Sequence, residues 1–270
     1  MKSTITLLAL GALLAAPALL SAKITRTVEK TFTVQPGGTL KVQTQGGDIK
    51  VLTGTGNEVK VTATQKIAAD TDAKADELLK DLELTIEQSG DSVTAISKYD
   101  RSGGWHLGNW PPVHVSFTVV VPAKYNVNLN TSGGDISLQS INGQAKLRTS
   151  GGNLRLAKVD GEVDGGTSGG DIILEEGTAN VKLSTSGGNI HVDRAGGEAD
   201  LNTSGGDIEI NSVHNRLTAS TSGGNVHAAG ITIQIERGGL RRSSLSGKVN
   251  GGGPELYLAS SGGDIRIRTN

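Results

Sequence analysis

The sequence predicts an all-β fold, a parallel β-solenoid of 18-residue coils with one short amphipathic helix, and three observations predict it. First, TSGG begins at Thr131, Thr149, Thr167, Thr185, Thr203 and Thr221, each start 18 residues after the last, and every copy is followed by Asp or Asn. A fixed period near 20 residues marks arrays whose units cannot bury a core alone and must stack on their neighbours. Second, the residues around TSGG alternate with the period of a strand. The position after the Asp or Asn reads Ile136, Leu154, Ile172, Ile190, Ile208 and Val226, and two residues on it reads Leu138, Leu156, Leu174, Val192, Ile210 and Ala228. Between them stand Ser137, Arg155, Ile173, His191, Glu209 and His227, so one face is core and the other wet. Third, Asp135, Asn153, Asp171, Asn189, Asp207 and Asn225 alternate without exception.

The strand before each TSGG supplies two matching columns. One reads Val127, Ala145, Val163, Val181, Ala199 and Leu217, the other Leu129, Leu147, Gly165, Leu183, Leu201 and Ala219. Each unit therefore carries two short strands with a glycine corner between them. Gly-Gly between alternating runs is also a hairpin signal, which would give an antiparallel meander. The Asp/Asn alternation favours the solenoid. There the corner side chains stack about 4.7–4.9 Å apart, an unbroken carboxylate ladder would repel itself, and Asn between Asp supplies an amide donor to each neighbour.

Taken in order, positions 1–22 read as a secretory signal peptide: Lys2, an apolar run from Ile5 to Ala16, then Pro17 and small residues. The run is too short and too rich in Gly and Ala for a membrane span. The mature chain is expected outside the cytoplasm, periplasmic or at the cell surface, and not as an integral membrane protein. Its composition is 39 Gly, six Pro, two Phe, three Tyr, two Trp and no Cys, so it has no disulfide and no thick aromatic core. Glycine at this frequency falls on repeat corners.

Positions 23–130 read as N-terminal coils interrupted by other material. The first repeat copy runs from Leu40 through Gly46, Gly47 and Asp48 to Val51. From Asp70 to Leu82, Ala75, Leu78, Leu79 and Leu82 share one helical face, with Asp70 and Asp72 near the start where they suit the helix dipole. This predicts one amphipathic helix, an end cap or side brace of the stack. Strands follow at 84–88, 92–98 and 113–121. Positions 131–229 hold the regular repeats. Positions 230–270 read as irregular C-terminal coils and a cap, in which the motif returns as Ser260, Ser261, Gly262, Gly263 and Asp264.

The entry VPxxYxVxLxTSGGDI from Val121 to Ile136, the early GGDIKV copy and the closing GGGPELYLASSGGDIRIR from Gly251 to Arg268 resemble the bacterial putative-adhesin family, exported β-strand-repeat domains of unknown function. The resemblance spans nearly all of the mature chain. It implies a right-handed parallel β-helix outside the cytoplasm, and it brings no motif of functional residues.

Chemistry is weighed on the residues themselves. Gly166, Ser168 and Gly170 fit GxSxG, but that motif needs a strand-to-helix elbow, and Ser168 is one of six equivalent serines. β-Helical lyases or hydrolases acting on polysaccharide, the alternative reading, need clustered carboxylates, and here the acids are spaced by the repeat. The ladder Asp48, Asp135, Asn153, Asp171, Asn189, Asp207, Asn225 and Asp264 lacks the glycine pattern of calcium-binding β-rolls and reads as structural corners capping backbone amides. No catalytic residue, metal or cofactor is expected. A formal net charge of −1 argues against nucleic acid. The expected partner is a cell-envelope glycan or protein. Its expected site is the loop with Trp105, His106, Asn109 and Trp110, since exposed tryptophans stack on sugars or fill partner pockets. The competing reading is that both tryptophans close the first coils.

Overall fold

The computed structural model describes residues 23–100, 111–230, 233–234, 240–241, 244–249 and 255–268. The expected leader at positions 1–22 lies outside them. The described strands form two sheets of 11 and 13 strands, and each coil gives one strand to each. In the regular array the strand before TSGG, such as Ala145–Arg148, belongs to the second sheet, and the strand after it, such as Leu154–Val159, to the first.

Neighbouring coils pair in parallel at the sequence period. Ile136 lies beside Leu154, Leu154 beside Ile172, Ile172 beside Ile190 and Ile190 beside Ile208. This is the stacked solenoid and not the hairpin meander. Alternation explains why the register holds, since a slip of one residue would carry every core side chain to the wet face. The stacked columns are almost wholly enclosed, with Leu154, Ile172, Leu174, Leu183, Leu201 and Ile208 all at 0 % exposure. Such columns bury apolar surface continuously, which compensates for the scarcity of aromatic side chains.

The insertion between the first two repeat copies does more than cover an end. Ser92–Tyr99 pairs in parallel with Thr39–Thr44, and Val113–Pro122 pairs in parallel with Ile49–Gly54. These strands form an additional coil outside the first repeat, in which the corner has been replaced by a longer connection. Antiparallel strands then finish this end: Glu58–Ile67 and Ile24–Thr33 on the first sheet, Leu82–Ser89 on the second. The helix is shorter than the sequence suggests, Asp72–Leu79, with the Thr71 side chain accepting from Lys74 N at its start. Ala75 is its buried residue, and Leu82 instead opens the next strand. Tyr125 ties the insertion to the array. Its ring is fully buried, its hydroxyl donates to the Asp91 carbonyl, and burial pushes its pKa up to about 12.

At the other end, Glu255–Ser260 and Ile265–Arg268 form the last described coil, stacked in register on Leu217–Thr221 and Val226–Ala229. Antiparallel Ser244–Val249 covers the second sheet there.

Candidate functional site

The glycine corner is built from three ladders, each imposed by one position of the motif. The threonine hydroxyl is buried and bridges coils. Thr149 Oγ1 donates to Gly134 O at 2.9 Å and accepts from Gly152 N at 3.2 Å, and Thr167, Thr185, Thr203 and Thr221 repeat both bonds. Ser260 performs the same task in the last coil, donating to Gly224 O at 2.7 Å. The second glycine lies against the neighbouring backbone. A Cβ on Gly152, Gly170, Gly188 or Gly206 would stand 1.9–2.0 Å from the carbonyl oxygen of the equivalent glycine one coil back. The first glycine of each pair has no such restriction. Close approach is therefore what demands glycine here.

The Asp/Asn side chains form the third ladder. Asp48 Oδ1 accepts from Asp135 N, and the chain of bonds continues through Asp135 to Asn153, Asn153 to Asp171, Asp171 to Asn189, Asn189 to Asp207, Asp207 to Asn225 and Asn225 to Asp264, at 2.6–3.0 Å. Ser116 Oγ begins it by accepting from Asp48 N at 3.1 Å. Where the Asn amide also donates, it donates back to the preceding carboxylate, Asn153 Nδ2 to Asp135 at 3.2 Å and Asn225 Nδ2 to Asp207 at 3.1 Å. The corner side chains thus bond one another and the main chain. Trp105, His106, Asn109 and Trp110 lie outside the described residues; their flanking strands end at Tyr99 and begin at Val113, on the additional coil.

A groove runs along the outer face of the second sheet. It has a volume of about 750 Å³ and crosses the six coils of the regular array, from Asn126 to Thr218, with Thr39 of the first repeat at its end. Alternation produces it. The buried column that begins at Val127 forms the floor, while the residues before and after it both point outward, about 7 Å apart along each strand. One wall reads Asn126, Gln144, Glu162, Asn180, Glu198 and Arg216. The other reads Asn128, Lys146, Asp164, Lys182, Asp200 and Thr218. Arg148 binds Asp164 at 2.6 Å, and Asn202 Nδ2 donates to Asp200 at 2.7 Å. Sequence reading aligned the inward columns and passed over these two. The available signal was the Lys, Asp, Lys, Asp succession at 146, 164, 182 and 200.

The wet face of the first sheet is laced with ion pairs between coils. Glu176 lies between Lys158 at 2.8 Å and Arg194 at 2.6 Å, and those hydrogen bonds, Lys158 foremost, hold its carboxyl below the ordinary glutamate range. His191 sits between Glu209 at 3.2 Å and Asp193 at 3.0 Å. Arg155 reaches Asp135 at 3.3 Å. Neighbouring coils thus differ in charge, and the contrast links them. These charges are largely spent within the molecule, whereas the groove retains unspent ones.

Comparison with known proteins gives the same architecture. No curated protein matches the chain. Among solved structures, it is similar to a putative adhesin from Bacteroides fragilis, with a TM-score of 0.50 and 14 % identity over 91 % of this chain and 97 % of that one. A putative cell adhesion protein from Clostridium sporogenes covers 91 % of this chain and 100 % of its own at 14 % identity, with a TM-score of 0.35. The family model described as Toastrack DUF4097 matches residues 38–250. With the repeat, the two stacked sheets and that match over most of its length, the chain belongs to the Toastrack DUF4097 family.

Proposed function

We propose that the protein is an exported, non-catalytic recognition module, an adhesin-like solenoid that presents its wet faces to a cell-envelope glycan or protein. The observation that carries this reading is the groove, a continuous polar channel over six coils whose walls are outward side chains on paired strands. Three corner ladders fix the coils beneath it, so its spacing is set before a ligand arrives, and preorganisation reduces the cost of binding. The apolar run from Ile5 to Ala16 supports export. The loop with Trp105 and Trp110 is retained as a second contact.

One observation favours catalysis. Glu162 and Asp164 face each other across the groove, as do Glu198 and Asp200, and glycosidases use carboxylate pairs flanking the bond they cut. Asp164 and Asp200 are already engaged by Arg148 and Asn202, which speaks for structure. The test is binding of the mature chain to arrayed glycans and envelope fractions, with product analysis on the same samples. Binding without turnover is expected. Turnover abolished by Glu162→Gln would replace recognition with hydrolysis.

A further inference from the structure

The groove's charges repeat with a period of two coils, not one. On one wall Glu162 and Glu198 stand two coils apart, with Asn180 between them. On the other, Lys146 and Lys182 stand two coils apart, with Asp164 between them. Asp164 is taken by Arg148, as Asp200 is by Asn202, but these two lysines and two glutamates have no side-chain hydrogen bond or ion pair among the described residues. The groove therefore offers a free ammonium on one wall and a free carboxylate on the other. Each recurs about every 9.5 Å, and the two series are offset by one coil of about 4.8 Å.

We propose that this groove binds an extended linear glycan built from a disaccharide repeat, in which a carboxylate-bearing sugar alternates with a neutral sugar that offers hydroxyl or N–H donors. The inference rests on the recognition role above and names its ligand. Spacing selects the class. In a peptide strand, side chains on one face recur at about 6.5–7 Å and would fall out of step by the second rung. A polyproline helix, with three residues in about 9.3 Å, would keep step. Such ligands dock grooves lined by aromatic rings, and no aromatic side chain lines this one. One disaccharide of an extended 1,4-linked glycan advances close to two coils, so a group carried by every second sugar recurs in step with the charges of one wall. Lys146 and Lys182 then meet carboxylates in charge-assisted hydrogen bonds on one wall. Glu162 and Glu198 accept hydroxyl or N–H groups on the other, and Gln144 and Asn180 serve the hydroxyls between.

The experiment is calorimetric titration of the mature chain with a hexasaccharide of alternating uronic acid and N-acetylhexosamine. Comparison ligands are an oligomer with a uronate on every sugar, a neutral N-acetylhexosamine oligomer and a proline-rich peptide. The decisive variant is the exchange Lys182→Glu with Glu198→Lys, which preserves net charge and breaks the alternation. Lys50→Gln, on the first sheet, is the control. Lys50→Gln should melt as wild type does, its side chain being exposed, whereas the exchange sets a carboxylate between Asp164 and Asp200 and should melt somewhat lower. Binding is therefore compared at a temperature where circular dichroism shows all three proteins folded. The alternating hexasaccharide should bind most tightly, the exchange should weaken it tenfold or more, and the control should not. The inference is overturned by an exchange variant that binds as well as wild type. It is equally overturned if a comparison ligand matches the alternating glycan, or if none binds. Envelope fractions that still bind the exchange variant would leave the recognition role standing and remove the groove as its site. Loss of all binding to fractions and ligands by the wild-type chain would remove both.

Discussion

Replacing Gly170 by alanine tests the corner more sharply than any deletion, because the adjacent glycine supplies the control. A Cβ at Gly170 would stand 2.0 Å from Gly152 O, 2.5 Å from Gly152 C and 2.8 Å from Asn153 N, all main-chain atoms that cannot rotate away. Van der Waals contact begins at about 3.5 Å, so the two coils must part by more than about 1 Å. That displacement stretches two bonds of 2.8 Å, Thr167 Oγ1 to Gly152 O and Asp171 N to Asn153 Oδ1. Each contributes about 0.5–1.5 kcal/mol, and the misfit itself costs about 1–3 kcal/mol. We expect a loss of about 3–5 kcal/mol, a large part of the 5–15 kcal/mol that typically separates folded from unfolded chains. A Cβ at Gly169 would meet nothing nearer than 3.7 Å, so Gly169→Ala should stay within about 0.5 kcal/mol of wild type. Urea unfolding followed by circular dichroism gives both values. Equal midpoints for the two variants would refute the reasoning.

Other perturbations address the remaining ladders. Thr167→Val keeps the shape of the side chain but strands Gly152 O and Gly170 N in a buried site, and a loss of about 2–4 kcal/mol is expected by the same unfolding assay. Thr167→Ser should lose far less, as Ser260 makes both bonds in the last coil. Asp48 and Asp135 are the one adjacent carboxylate pair in the corner ladder, and Asp48→Asn retains the oxygen that accepts from Asp135 N. We expect it to stabilise by about 0.5–1 kcal/mol at neutral pH and low salt, with the gain fading as salt is added; a lower melting temperature would contradict this. Glu176 has a lowered folded-state pKa, so its contribution is present above the ordinary glutamate range and is lost as pH falls through and below it. Melting temperatures of wild type and Glu176→Gln should therefore differ at neutral pH and converge in acid. A constant difference would show that the charge is immaterial.

Much of the fold was legible because a repeat states the same constraint many times. Ile136, Leu154 and Ile172 align in sequence at 18 residues and lie side by side in the sheet, since parallel coils turn sequence period directly into spatial neighbours. The reason for the second glycine was hidden, because close backbone approach leaves the same trace as a turn requiring positive φ. The additional coil was also hidden. Its strands at Ser92–Tyr99 and Val113–Pro122 pair with the first repeat but are separated by a longer connection, so no fixed interval announces them. Leu82 was assigned to the helix because a leucine three residues after Leu79 satisfies helical spacing, whereas its partner Tyr99 draws it into a strand. The groove was missed for a different reason. The apolar columns decide folding and carry the strong periodic signal, whereas Lys146, Asp164, Lys182 and Asp200 stand out only when the wet columns are aligned in the same way.

The measurement closest to the central claim is an amide chemical-shift titration of residues 23–270 with the alternating hexasaccharide. Binding in the groove should shift amides on successive rungs of the second sheet, around Lys146, Asp164, Lys182 and Asp200, and leave the corner glycines and the first sheet unmoved. Shifts confined to the connection bearing Trp105 and Trp110, or spread over the first sheet, would contradict it.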